Sequence, residues 1–213
     1  QTQKLIGSGY VGSSQQGVGL SLSSDNSTLA VGGPSDNSNA GAVWIFVNAT
    51  GAWAQQGSKL LPNDAVGNSN FGVMTALTSN GNILAVGGTT DNSDAGATWI
   101  FSRVGTGWSQ SGAKIVGPGA VGNAAQGSSV ALSADGTTLA IGGRTDDSDV
   151  GAVWIYTGTG ASYTFQAKLV GTGYVGGSQQ GATLALSSDG NTCAIGGYQD
   201  NSGIGAVWIF NRE

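Results

Sequence analysis

An all-β chain of four repeats, each of four strands, follows from three observations in the 213-residue sequence. The run GAVWIF at 41–46 returns as GATWIF at 96–101, GAVWIY at 151–156 and GAVWIF at 205–210, so that Trp44, Trp99, Trp154 and Trp208 stand 55, 55 and 54 residues apart. Between these markers apolar residues alternate or form short blocks, and none recur at helical spacing. Two-residue turn signals, Asn80-Gly81, Asp135-Gly136 and Asp189-Gly190, fall at one place in the period. A fixed period covering the whole chain marks an array of equivalent units. Four strands per unit, one of them apolar on both faces, predict a β-propeller of four four-stranded blades. The repeat units are 16–60, 71–115, 126–169 and 180–213 plus 1–6, forming one domain.

The innermost strand alternates, as in Ser128–Ser133, where Val130 and Leu132 share one face. The Asx-Gly turn then predicts a hairpin with positive φ at both central residues, pairing this strand with the next, Thr138–Gly143. An acidic, Asn-rich loop follows. The GAVWIF strand comes third; being apolar on both faces, it has to be covered on both. The fourth strand spans Trp53–Leu60, and a Gly-rich loop carries the chain into the next unit.

The segment FGVMTALTSNGNILAVGG at 71–88 resembles the FG-GAP repeat of integrin-type β-propellers, with Phe71-Gly72 as its FG and VGG or IGG in place of GAP. The resemblance spans all four repeats and implies the propeller fold. The other three units carry Gln-Gly instead of Phe-Gly. The calcium loop of that family, an Asp-x-Asp-x-Asp-Gly run between the first two strands, is replaced by a tight turn, so its metal binding is not carried over.

KLIGSGYVGSSQQG at 4–17 and KLVGTGYVGGSQQG at 168–181 agree at eleven of fourteen positions. The sequence given therefore opens within a repeat: Lys4, Leu5 and Ile6 match the end of a fourth strand, while Trp208, Ile209 and Phe210 belong to a third strand with none after it. Pairing these two segments completes the last blade and removes exposed strand edges. The partner is either the same molecule, closing a ring in cis, or a neighbour, giving strand exchange and an oligomer or filament.

Composition narrows the function. Seven Lys and Arg against a net charge of −5 exclude a nucleic-acid partner, which needs a basic patch. No apolar run approaches the roughly 18 residues that suggest a membrane span, so membrane insertion is not expected. Low charge, Asn/Ser/Thr richness and acceptor triplets at Asn26 and Asn48 point to a secreted, extracellular glycoprotein. The single Cys193 rules out an internal disulfide, and its alignment with Leu29, Leu84 and Leu139 makes it a core residue. There is no His, and the one Glu is Glu213. Histidine-dependent nucleophiles are thus removed, and the Asp residues follow the repeat instead of converging, so no catalytic residues and no enzyme are expected.

No cofactor is expected either, with calcium as the one candidate. Asp91 and Asp94, and Asp146, Asp147 and Asp149, lie in the loops between second and third strands, where carboxylates could hold a hard cation. Asx turn chemistry explains the same residues without a metal. Tyr10 and Tyr174 in the loops entering two units, and Trp53 and Trp108 on outer strands, are candidate contacts for a sugar or a protein. The sequence is read as a non-catalytic structural or adhesive module that associates with itself. The alternative is a lectin-like propeller with repeated shallow glycan sites.

Overall fold

The computed structural model describes residues 3–160 and 162–213; Gln1 and Thr2, part of the expected closing strand, lie outside the described residues. The chain is all-β and forms four consecutive antiparallel blades of a propeller. The first contains β1 (Leu20–Leu22), β2 (Thr28–Gly33), β3 (Ala42–Asn48) and β4 (Trp53–Gln55). The second contains β5 (Met74–Leu77), β6 (Ile83–Gly88), β7 (Ala97–Val104) and β8 (Gly107–Gln110). The third contains β9 (Gln126–Leu132), β10 (Thr138–Gly143), β11 (Ala152–Thr159) and β12 (Ser162–Leu169). The fourth contains β13 (Thr183–Leu186), β14 (Thr192–Gly197) and β15 (Ala206–Asn211). Strands pair in chain order within each blade, and one register recurs: Val31, Val86, Ile141 and Ile195 stand opposite Trp44, Trp99, Trp154 and Trp208.

The β1–β2 type of turn differs from the expected one. Gly136 (φ 76°) and Gly81 (φ 64°) are left-handed, but the residues before them are not. The turn closes a residue earlier, with Gly136 N–H donating to Ser133 O. Asp135 Oδ1 then accepts from the Thr137 N–H at 2.9 Å and the Ser133 hydroxyl at 2.7 Å, locking an Asx turn in place of a two-residue hairpin.

Blades meet through a repeated joint. One face of each blade carries Ala, Val and Ile, and packs on the Leu, Val, Trp and aromatic face of the next. Ala30, Val43 and Ile45 lie against Leu84, Val86, Trp99 and Phe101. Ala85 and Ile100 lie against Leu139, Ile141, Trp154 and Tyr156. Ala140, Val153 and Ile155 lie against Cys193 and Ile195, with Leu184 and Phe210 at the margin. At the inner end backbones touch: a Cβ on Gly32, Gly87 or Gly142 would come within 1.9, 2.2 and 2.1 Å of the Gly72, Gly127 and Gly181 carbonyl oxygens. Only glycine permits that approach.

Closure in cis is not what the molecule adopts. The blades pack in sequence, β1 on β5, β5 and β6 on β9, and β9 and β10 on β13, with no comparable packing of the fourth blade on the first among the described residues. Among the described residues the fourth blade has three strands, and Lys4–Ile6 lies on the first blade instead. Gln3 exchanges two side-chain hydrogen bonds with the Trp53 backbone (2.7 and 2.9 Å), Trp44 Nε1 donates to Ser8 O (2.7 Å), and Leu5 packs against the Val31, Trp44 and Phe46 cluster. The reason is local: each fourth-strand segment runs into a loop that grips the following blade, as Trp154 Nε1 donates to Pro118 O and Trp208 Nε1 to Thr172 O. The opening segment is held by blade 1 as a preceding blade's last strand would be.

Candidate functional site

The acidic loops fold as four-residue turns, Asp36–Asn39, Asp91–Asp94, Asp146–Asp149 and Asp200–Gly203, with left-handed second and third residues. Asn, Asp and Ser occupy those positions because short polar side chains tolerate positive φ best among non-glycine residues. The first Asp of each turn is buried. Its Oδ1 accepts the backbone N–H of Val11, Val66, Val121 or Val175, each at 2.7 Å, tying the turn to the loop that enters its blade.

In three blades Oδ2 accepts a lysine from the end of the fourth strand: Lys59 on Asp36, Lys114 on Asp91 at 2.5 Å and Lys168 on Asp146 at 2.6 Å. Lys59 and Lys168 also sit over Trp44 and Trp154, 6.0 and 5.2 Å from the ring centroids. Each clamp joins the acidic turn to the outer strand, and in the first and third blades it reaches the central tryptophan as well. The calcium candidates are corrected accordingly. Asp91 and Asp146 are committed to buried ion pairs, Asp94, Asp147 and Asp149 point to solvent on the same turns, and among the described residues no three acidic, His or Cys groups gather as a metal site.

The fourth clamp is incomplete. Asp200 is 9% exposed and holds Val175 N–H, but among the described residues no lysine or arginine pairs with it. Its counterpart by repeat, Lys4, lies exposed beside blade 1. The two end faces are open as well. Val207 and Ile209 are 65% and 58% exposed where Val43 and Ile45 are fully buried, and Leu20 and Leu22 on the opposite end are 59% and 50% exposed.

A second device went unread in the sequence. Gln16, Gln126 and Gln180 each turn a side-chain amide onto a glycine backbone, accepting from and donating to Gly7, Gly117 and Gly171. Those residues must be glycine, because a Cβ there would sit 2.1 to 2.3 Å from the Trp44, Trp154 and Trp208 rings. The second blade substitutes the whole device. Pro62 replaces the glycine and removes the donor, Phe71 replaces the glutamine and meets Trp99 edge-on at 5.5 Å, and Asp64 takes the Trp99 indole N–H at 2.7 Å. Burial pushes the Asp64 carboxyl up, but the Lys114 N–H, Gln110 and Trp99 outweigh it and hold it below its ordinary value.

The remaining candidates are scattered. Tyr10 and Tyr174 are 54% and 39% exposed on equivalent loops. Trp53 and Trp108 are only partly exposed: Trp53 packs on the Leu5 cluster, while Trp108 covers the first inter-blade core, donates to Gln56 and lies under Arg103. Tyr163 holds the equivalent place in the third blade. Asn26 caps an exposed turn, and Asn48 ends β3 with its side chain accepting the Gly51 N–H. Cys193 is buried in the third joint, which pushes its thiol up to about 11. Beside it, a groove of about 240 Å³ lies between third and fourth blades, lined by Ile155, Leu169, Cys193, Phe210 and Arg212.

No family model matches the sequence, and no curated protein is similar to it. Solved structures of propeller type are similar in fold. A protein of Bacteroides uniformis assigned as a 6-phosphogluconolactonase superposes with a TM-score of 0.64 at 12% identity, over 91% of this chain and 50% of its own. The hydrazine synthase of Kuenenia stuttgartiensis superposes with a TM-score of 0.58 at 14% identity, over 98% of this chain and 49% of its own. The chain thus spans about half the length of these structures. Both are named for enzymes, and at this identity the likeness establishes the fold alone.

Proposed function

We propose that this chain is a non-catalytic, extracellular structural or adhesive propeller module that works by associating through its open blade ends. One observation carries the reading: three inter-blade joints are built from the same residue types, and the two halves of a fourth joint stand exposed at opposite ends of the arc. Exposed Val, Ile and Leu on a sheet face with an unpaired edge strand favour association. The acidic side chains suit a scaffold, because the conserved geometry of the turns uses them on backbone N–H groups and lysines and not on a shared cleft. The lactonase and synthase names are therefore not carried over as activities. Sedimentation velocity over a wide concentration range tests the reading: mass rising with concentration is expected, and a chain that stays at 21.0 kDa throughout overturns it.

The lectin-like reading is favoured by the exposure of Tyr10 and Tyr174 alone. It requires that Tyr10→Ala and Tyr174→Ala abolish retention on a glycan array without changing the circular dichroism spectrum. Unchanged retention removes these two residues from the reading.

A further inference from the structure

We infer that a cavity between the second and third blades binds one uncharged sugar ring, held by the hydroxyl of Tyr156. The inference is independent of the association proposed above and of the loop tyrosines Tyr10 and Tyr174. It starts from a departure within the repeat. Phe46, Phe101 and Phe210 occupy one position of the third strand, and Tyr156 occupies it in blade 3. The added hydroxyl is buried and has no hydrogen-bond partner among the described residues. An unpaired buried hydroxyl destabilises the fold that carries it, so the packing of this joint gains nothing from the exchange of Phe for Tyr. A ligand that pairs with the hydroxyl supplies the missing gain.

Tyr156 lines a cavity of about 270 Å³ that is open to solvent on one side, with Tyr163 beside it and Ile100, Ser111 and Ile115 of blade 2 also in its walls. The blade 3 wall is held in place. The Phe165 ring meets Tyr156 edge-on at 5.7 Å. β12 bulges at Gln166, between Ala167 opposite Ile155 and Phe165 opposite Tyr156, and bulges serve to re-aim side chains next to sites. The Tyr163 hydroxyl donates to Gly136 O at 2.6 Å, which leaves its ring to the cavity. Across from it, Ser111 donates to Ser102 at 2.8 Å and keeps its oxygen free to accept.

The walls select the ligand. No carboxylate lines the cavity, and its one cation, Lys114, is paired with the buried Asp91 at 2.5 Å, so a charged ligand meets no counter-ion there. The volume lies just under the range of about 300–1,000 Å³ usual for ligand pockets, which leaves room for one ring and not for a chain. Ile100, Ile115 and the Tyr163 ring present apolar surface, while Tyr156 and Ser111 present hydroxyl groups. A pyranose answers both, with C–H faces for the apolar walls, hydroxyls for Tyr156 and Ser111, and further hydroxyls for the water at the open side.

Saturation-transfer NMR on the intact chain tests the site, with the methyl glycosides of glucose, galactose, mannose and N-acetylglucosamine as probes. Transfer to at least one of them is expected. Tyr156→Phe should weaken that binding about tenfold, and Ala113→Trp, which sets an indole over the cavity from its exposed rim, should abolish it. Both variants should keep the wild-type circular dichroism spectrum. No transfer to any of the four from the wild-type chain would mean that the cavity holds water alone, and overturns the inference. Binding left undiminished by either change places the sugar elsewhere and overturns it too. A second readout separates the hydroxyl from folding: the bound glycoside should raise the urea midpoint of the wild type more than that of Tyr156→Phe at the same concentration. Equal rises remove Tyr156 from the site. These results do not depend on self-association, which sedimentation velocity measures separately.

Discussion

The inner joints and the two ends of this arc contain the same residues in opposite circumstances. Val43 and Ile45 are sealed under a neighbouring blade, while Val207 and Ile209 face water; Asp91 has its lysine, while Asp200 has none among the described residues. The strands themselves do not differ: β3 and β15 share the sequence AVWIF and the same register to their hairpin partners. Burial in this molecule is thus a property of position in the array and not of residue type, and stability is expected to rise from one joint to the next, as in nearest-neighbour repeat systems.

The comparison breaks most visibly at the tryptophans. Trp154 is fully buried between blades, and truncating it to Ala should lower the free energy of unfolding by about 3–5 kcal/mol. The same change at the partly exposed Trp208 should cost about half as much, with urea denaturation of the dilute chain as the measure; equal losses would mean the end blade is as tightly held as an inner one. Next are the clamps. Lys114→Met strands the buried Asp91 carboxylate and should cost about 3 kcal/mol or more, whereas Lys4→Met should stay within about 0.5 kcal/mol in the monomer.

Tyr156 sharpens the comparison from inside. Its hydroxyl is buried with no hydrogen-bond partner among the described residues, and burial pushes its pKa up to about 12. Phe46, Phe101 and Phe210 fill the corresponding places. Tyr156→Phe should therefore raise stability by about 1 kcal/mol, seen as a higher midpoint in the same denaturation.

The smallest effect is with pH. Hydrogen bonds from the Thr137 N–H and the Ser133 and Thr137 hydroxyls hold Asp135 down to about 2, and similar bonds lower Asp25 and Asp189. A carboxylate depressed in the folded state contributes its stability above the unfolded value near 4 and loses it as pH falls through the folded one. Denaturation midpoints should be level above pH ~5 and fall between ~4 and ~2, less steeply in Asp135→Asn.

The repeat, the strand order and the twice-covered third strand were legible because each depends on spacing along the chain. What escaped depends on contacts between loops. Asp91 and Asp146 stood as cation candidates beside the Asx-turn reading because the lysines that pair with them lie more than twenty residues away, on another strand. The Gln126 clamp on Gly117 was invisible since a polar side chain in a loop carries no periodicity. The turn at Asp135-Gly136 was placed correctly but typed wrongly: the Ser133 and Thr137 hydroxyls, outside the two-residue signal, decide its geometry. Where the opening segment lies could not be read at all, because its sequence fits the edge of the fourth blade and the flank of the first equally well.

Near-identical repeats carry a hazard of their own: during folding one unit can be threaded where another belongs, as repeat proteins are prone to do. The Phe71, Pro62 and Asp64 substitution gives the second blade a key that fits one lock. A glutamine amide presented to Pro62 would find no N–H to accept, and Phe71 presented to Gly117 would leave that N–H bare. Blade 2 is thus the one unit whose loop and tryptophan are matched to each other by a different set of residues, a local identity that its three near-identical neighbours lack.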